Sequence, residues 1–315
     1  MPVPTRKASL SIKFIIVGGG IAGLSCGYAL QTAGHQVVIL EQSDGKSKTE
    51  GSIRSPPNMT RILCKWPGML ALLKTCATKC SGISFRDGKT SEPLGFMKFH
   101  EQIMSELEAD FLVLQYEDLC RHLTFLCVGT GVEFKYASKA VNIKSVGGSV
   151  TVVLEDGRNV EGDIAIGADG HNSLVRSIVA EEDLEPIHVV PGANISILTQ
   201  LMQEDEDLRD LCNTHQSEFT IWMGSGSSMT GTFDANAETF NLSICSMTTL
   251  DSPDSEWYEN YPLSKMTSFE FSGYDPRFLF RFFPIFHFVL MLALSQTAKT
   301  YSARLRLPSD PTQDL

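Results

Sequence analysis

Residues 12–41 read IKFIIVGGGIAGLSCGYALQTAGHQVVILE, and the architecture follows from them. Ile12–Val17 is a short β-branched run of the kind a parallel sheet buries on both faces. Gly18-Gly19-Gly20-Ile21-Ala22-Gly23 follows at once. Leu24–Ala33 then reads as a helix with small residues on one side, and Gly34 stands in the C-terminal cap position. Gln36–Leu40 is a second strand that ends at Glu41. The three requirements that lift a G-x-G-x-x-G pattern above coincidence are therefore met: a strand before it, a helix after it and an acidic residue about 20 positions on. In that reading Gly18 makes the tight turn, Gly20 lets the backbone approach a pyrophosphate, and Gly23 lets helix and strand pack closely. The pyrophosphate would rest on the amides of Gly20, Ile21 and Ala22 at the helix N-terminus, and Glu41 would accept hydrogen bonds from a ribose. The motif does not separate FAD from NAD, since both carry the same ADP half.

Further along, Asp163-Ile-Ala-Ile-Gly-Ala-Asp169-Gly170-His-Asn-Ser173-Leu-Val-Arg176 reads as another buried strand that ends in Asp-Gly and turns into a helix. Between the two motifs the pattern predicts a broken helix over Met59–Cys80 and short strands over Ser84–His100 with turns at Asp87-Gly88 and Pro93-Leu94-Gly95. It also predicts a helix over Tyr116–Gly129 and a hairpin from Lys139–Val146 and Val150–Glu155. The expected fold class is α/β: a Rossmann-like FAD/NAD(P)-binding domain with a β-rich substrate domain inserted and appended. The boundaries read as 10–80 and 101–180 for the nucleotide-binding part, 81–100 and 181–277 for the substrate part, and 278–315 for an atypical tail.

Composition narrows the function class. Thirty-seven acidic residues against 26 basic ones give a net charge of −11 over 315 residues, which supplies no basic footprint for nucleic acid. The eight cysteines form no C-x-x-C pair and no metal-ligand spacing, so neither a metal site nor a disulfide framework is expected. The basic start followed by a short apolar run lacks a signal-peptide pattern, and the apolar run Phe288–Leu294 is far shorter than the roughly 20 residues a membrane span needs. The expectation is a cytoplasmic protein without a membrane anchor.

Together the stretches at 18–41 and 163–176 resemble those of the FAD-dependent aromatic-ring hydroxylases, the group that includes salicylate and para-hydroxybenzoate hydroxylases. SPPNMTRIL (55–63), FHEQIM (99–104), EDL (117–119), IWMGSGSSMTGTFDANAETFNL (221–242) and FSGYDPRF (271–278) extend the similarity over about residues 12–280. The resemblance implies a monooxygenase that uses NADPH or NADH and O₂ to hydroxylate an aromatic or related small molecule. It places the ADP half of FAD on Gly18, Gly20, Gly23 and Glu41, sets Gly51 near the ribityl chain, and makes Asp169 and Gly170 a cofactor-contacting motif.

Three departures accompany it. Tyr116 stands where the family has an arginine that reaches the flavin side of the cofactor. No arginine lies between Arg176 and Arg209. The family's later G-D-A-x-x-P segment is missing, and Gly162-Asp163, the only Gly-Asp pair, belongs to an earlier strand. The expectation is a chain truncated before that motif, with Phe282–Leu315 unrelated to the family. Two alternatives stay open: a catalytically inactive FAD/ADP-binding relic, and a flavin-free NAD(P)-dependent reductase, for which Tyr261-x-x-x-Lys265 gives only an accidental match. No catalytic base is assigned; His100, His171 and His215 are available.

Overall fold

The β-branched runs at the start of the chain become the first two strands, and the glycine turn between them becomes the start of the first helix. A computed structural model describes residues 7–45, 51–88, 90–170, 173–180, 192–203, 209, 217–224, 227–236, 238–246, 256–258 and 303–307. The order begins β1 (Lys13–Val17), α1 (Ile21–Thr32), β2 (Gln36–Leu40), β3 (Ser52–Ser55), α2 (Pro57–Leu63), α3 (Met69–Cys76), β4 (Thr78–Lys79), β5 (Gly82–Asp87), β6 (Pro93–Lys98). It continues α4 (Glu101–Glu106), β7 (Leu112–Gln115), α5 (Tyr116–Thr130), β8 (Glu133–Lys135), β9 (Ala140–Val146), β10 (Ser149–Leu154), β11 (Asn159–Gly162), β12 (Ile164–Gly167), α6 (Leu174–Ala180). Last come β13 (Gly192–Leu198), α7 (Thr199–Met202), β14 (Glu218–Gly224), β15 (Ser227–Asp234), β16 (Thr239–Ser246), β17 (Glu256–Tyr258) and β18 (Ala303–Leu307). These fall into two units: Met1–Thr49 with Pro67–Met69 and Tyr116–Glu185, and Glu50–Trp66 with Leu70–Gln115 and Pro186–Leu315.

The first unit is layered about a parallel sheet of order β12-β1-β2-β8. Alternation along β1 and β2 sends successive side chains to opposite faces. Ile15, Val17, Val38 and Leu40 form one core with Val150, Val152, Leu154 and Val160 of the antiparallel β11-β10-β9 meander and with Val175 of α6. Ile16 and Ile39 point the other way, toward α1, where an added Cβ on Gly27 would lie 2.9 Å from Ile39 Cδ1. Both faces of β1 and β2 are thus covered, and each large side chain fully removed from water contributes about 1.5–3 kcal/mol. On the outer side of α1 packs α5, whose Cys127 thiol donates to Leu24 O at 3.2 Å. The helix α1 ends as its sequence predicts: Gly34 takes φ +99°, with Gly34 N–H on Gln31 O and His35 N–H on Leu30 O.

One strand differs from expectation. β12, expected to be buried, leaves Ile164 43% exposed. Among the described residues it pairs only with β1, at one end of the sheet order, so its outer side is not closed by a neighbour. Apolar composition alone does not distinguish a central strand from a terminal one.

The second unit holds an eight-stranded sheet of order β17-β18-β13-β16-β15-β14-β5-β6, in which β14 and β5 run parallel and the other pairs antiparallel. Trp222, Phe219, Met229, Phe240 and Leu242 are buried in it. Pro93-Leu94-Gly95, expected as a turn, instead opens β6 at the rim of the sheet, where a residue without an N–H is tolerated. The helical spacing over Met59–Cys80 resolves into α2, α3 and the start of β4, split at Pro67-Gly68. A small β3-β7-β4 sheet completes the unit, and Arg54 of β3 stacks its guanidinium 4.2 Å over the Phe219 ring. The six described cysteines whose side chains are placed are free thiols. No helix among the described residues is long and apolar enough to cross a membrane.

Candidate functional site

The glycines of the β1–α1 turn have different neighbours. Gly18 takes φ +107°, and a Cβ there would lie 2.3 Å from Ala168 O. At Gly23 a Cβ would stand 1.9 Å from Gly18 O. Those two positions exclude a side chain because the protein itself fills the space. Gly20 has ordinary extended geometry (φ −75°, ψ −175°), and its Cβ would meet only the Tyr116 hydroxyl, at 3.5 Å. What Gly20 keeps open is therefore space in front of the helix. Gly20 is also the N-cap of α1 and offers no side-chain acceptor to the first turn, which carries no acidic residue. The opening amides, including those of Ile21 and Ala22, are left without a capping side chain at the positive end of the helix dipole.

Glu41, at the tip of β2, faces this turn. Its Oε2 accepts from Gly19 N–H at 2.8 Å and its Oε1 from Ser43 N–H at 2.8 Å. Its own backbone is anchored to the strand-end beside it, through Glu41 N–H to Lys135 O and Ser138 N–H to Glu41 O. A carboxylate oxygen has two lone pairs, so each retains capacity for a further donor. Gly19, Gly20, Glu41 and Tyr116 line a cavity of about 550 Å³ that continues past Ser43 and Arg121 to Phe134 and Tyr136. The Phe134 and Tyr136 rings stack at 5.7 Å between centroids and 9° between planes. That volume lies within the usual range for small-molecule sites.

The second sequence motif lies against the first. β12 runs parallel to β1, with Val17 opposite Gly167, and so the Ala168-Asp169-Gly170 turn abuts Gly18. Asp169 is committed to its own helix: Ser173 Oγ donates to Oδ1 at 2.5 Å and Val175 N–H to Oδ2 at 3.1 Å, while Arg176 N–H bonds Ser173 Oγ at 3.0 Å. Gly170 takes φ +75° and is exposed. Gly51 belongs to the other unit, where it precedes β3 with φ +111° and open space around it. Of the histidines considered as bases, His100 is the exposed N-cap of α4; His171 and His215 lie outside the described residues, as do Tyr261 and Lys265.

Tyr116 is a functional candidate that sequence reasoning noted only as a departure. It opens α5, which packs along α1, and its half-buried hydroxyl reaches the Gly20 turn. Burial, then the Cys120 thiol and, more weakly, Glu41 push the phenol up to about 12, against the opposing pull of the Ile21 amide. The only sequence signal was an aromatic at the first position of a helix, four residues ahead of a cysteine. Its meeting with a turn some 95 residues earlier is a tertiary fact. Among the described residues no cluster of His, Cys, Asp and Glu is placed to hold a metal ion.

The sequence profile of the FAD binding domain family matches residues 11–258. The chain is 30% identical over 165 residues to 3-amino-4-hydroxybenzoate 2-monooxygenase PtmB3 of Streptomyces platensis, covering 52% of this chain and 41% of that protein. It is 24% identical over 214 residues to FAD-dependent monooxygenase OpS4 of Beauveria bassiana, covering 67% and 47%. The matched stretch thus spans just under half the length of these relatives. Among solved structures, HpxO of Klebsiella pneumoniae in complex with FAD superposes with a TM-score of 0.65 at 18% identity, over 93% of this chain and 68% of that one. CtdE in complex with FAD and a substrate gives 0.71 at 15%, over 88% and 66%. At such identities the superpositions establish the shared α/β fold, and the profile match over most of the chain establishes the family: this protein belongs to the FAD binding domain family.

Proposed function

We propose that the chain carries the nucleotide-binding part of an FAD-dependent monooxygenase, a hydroxylase that uses NADPH or NADH and O₂ on an aromatic or related small molecule. The observation that carries this reading is the division of labour among the glycines. Gly18 and Gly23 are closed by the protein's own backbone, whereas Gly20 fronts open space at an uncapped helix N-terminus, beside a cavity that Glu41 lines.

The residues present fit the ADP half of the cofactor. The amides of Gly20, Ile21 and Ala22 would hold the diphosphate. Glu41 would accept from the ribose hydroxyls while Gly19 and Ser43 keep its carboxylate in place. The Phe134–Tyr136 wall offers an apolar face to a planar base. Asp169 and Gly170 act on this site through backbone shape, since the Asp169 carboxylate is spent on α6. Gly51 is the proposed neighbour of the ribityl chain. FAD, when bound, supplies the redox chemistry between NAD(P)H and O₂, and the protein contributes binding, orientation and exclusion of water.

The test is an absorbance spectrum of the purified chain after incubation with FAD and gel filtration, together with calorimetric titration by ADP. Retained flavin with ADP-competitive binding, and NAD(P)H oxidation stimulated by an aromatic substrate, is the expected result. Colourless protein that still binds ADP would reduce the reading to a nucleotide-binding relic. Colourless protein that reduces carbonyls would replace it with a flavin-free reductase.

A further inference from the structure

We propose that the Tyr116 hydroxyl is a hydrogen-bond donor to the diphosphate of the bound dinucleotide, held in position at the glycine turn by the Ile21 amide. The inference rests on the reading of this turn as the FAD site and adds to it a residue from a distant part of the chain.

The place of the hydroxyl argues for it. A Cβ built on Gly20 finds Tyr116 Oη 3.5 Å away and no other atom within 4 Å, so the phenol fronts the same space as the opening amides of α1. Its hydrogen-bond partners are the Ile21 N–H, which donates to the oxygen, and the Cys120 thiol, one turn along α5. With the oxygen accepting from the amide, the phenol proton is directed to sulfur, a weak acceptor. A phosphate oxygen arriving at α1 is a far better one, because a hydrogen bond from a hydroxyl to an anion is short and charge-assisted. The proton can pass from sulfur to phosphate by a turn about the C–O bond while the ring stays packed against α1. Burial keeps the group protonated throughout the physiological range, so the contact is a neutral donor and adds no counterion release to binding.

Calorimetric dissociation constants of wild type and Tyr116→Phe for adenosine, ADP and FAD test this directly. The expected result is a loss of ~10-fold in Kd for ADP and FAD, the scale of a hydrogen bond to a charged group. Adenosine, which has no phosphate, should bind both proteins alike. The slope of log Kd against log salt should be unchanged. Cys120→Ala, which removes only the interim acceptor, should keep ADP affinity within about twofold of wild type, as expected for a weak sulfur contact. Unchanged or tighter ADP binding by Tyr116→Phe would overturn the inference, the tighter case showing that the hydroxyl competes with phosphate for the Ile21 amide. An equal loss for adenosine, or for ADP in Cys120→Ala, would also overturn it by assigning the effect to the packing of α5 on α1. Wild-type protein that binds neither ADP nor FAD would remove the FAD reading and this inference with it.

Discussion

Two turns of the first unit stand side by side, each leading from a parallel strand into a helix and each bearing glycine at positive φ. They treat the helix N-terminus in opposite ways. After β12 the chain closes its own end: Asp169 and Ser173 take up the first amides of α6. After β1 it supplies no capping side chain at all, and the opening of α1 is left to whatever enters the cavity. An open N-terminus leaves polar groups to be satisfied by solvent or a ligand, whereas a capped one gains about 1 kcal/mol and has little left to offer an anion. Proximity in the fold therefore does not make the two motifs equivalent. The first is built to hold a ligand, and the second is built to hold its neighbour in place.

The largest expected effect falls on the closed contacts. Gly23→Ala forces a methyl into the Gly18 carbonyl, and the unfolding free energy measured with denaturant should drop by about 3 kcal/mol or more. A drop as small as that of a surface substitution would mean the turn is looser than described. Gly20→Ala should do the reverse: stability within about 0.5 kcal/mol of wild type, with ADP and FAD affinity weakened by roughly 100-fold because the methyl occupies the approach to the helix. Intact flavin content in that variant would erase the distinction between the glycines. Asp169→Ala should cost about 1–2 kcal/mol of stability through loss of the cap and leave the Kd for adenosine unchanged; a selective loss of nucleotide affinity would move Asp169 into the binding machinery.

The smallest effect is electrostatic. Tyr116 is held at about 12 when folded against an unfolded value of about 10. The folded state therefore keeps the proton longer, and stability that is present below pH 10 falls as pH rises toward 12. Denaturant titrations should show about 1 kcal/mol of that decline missing in Tyr116→Phe. Equal slopes would place the phenol in open solvent.

What could be read in advance was what the chain writes locally. Residues 12–41 contain their own strand, turn, cap and second strand, and each step depends on near neighbours. The Schellman end at Gly34 and the burial of Val37–Leu40 emerged as read. The limits of that reading are tertiary. Ile164–Gly167 has the composition of a covered strand, but its exposure is set by sheet order, which no local pattern encodes. Pro93 and Gly95 have turn chemistry, yet at the rim of a sheet neither obstructs a strand. The carboxylate of Asp169 reads equally as ligand contact or cap until Ser173 and Val175 are seen to occupy it. Tyr116 became legible only when α5 was found lying along α1.

The partition of the chain has a spectroscopic consequence. All three tryptophans, Trp66, Trp222 and Trp257, belong to the unit with the eight-stranded sheet, and the unit that holds the glycine turn has none. Indole emission is thus a private reporter of one half of the molecule. A melt followed by that emission, laid over a calorimetric trace of the same sample, measures how far the halves unfold in concert. Adding ADP to the sample then shows whether occupancy of one half is felt by the other.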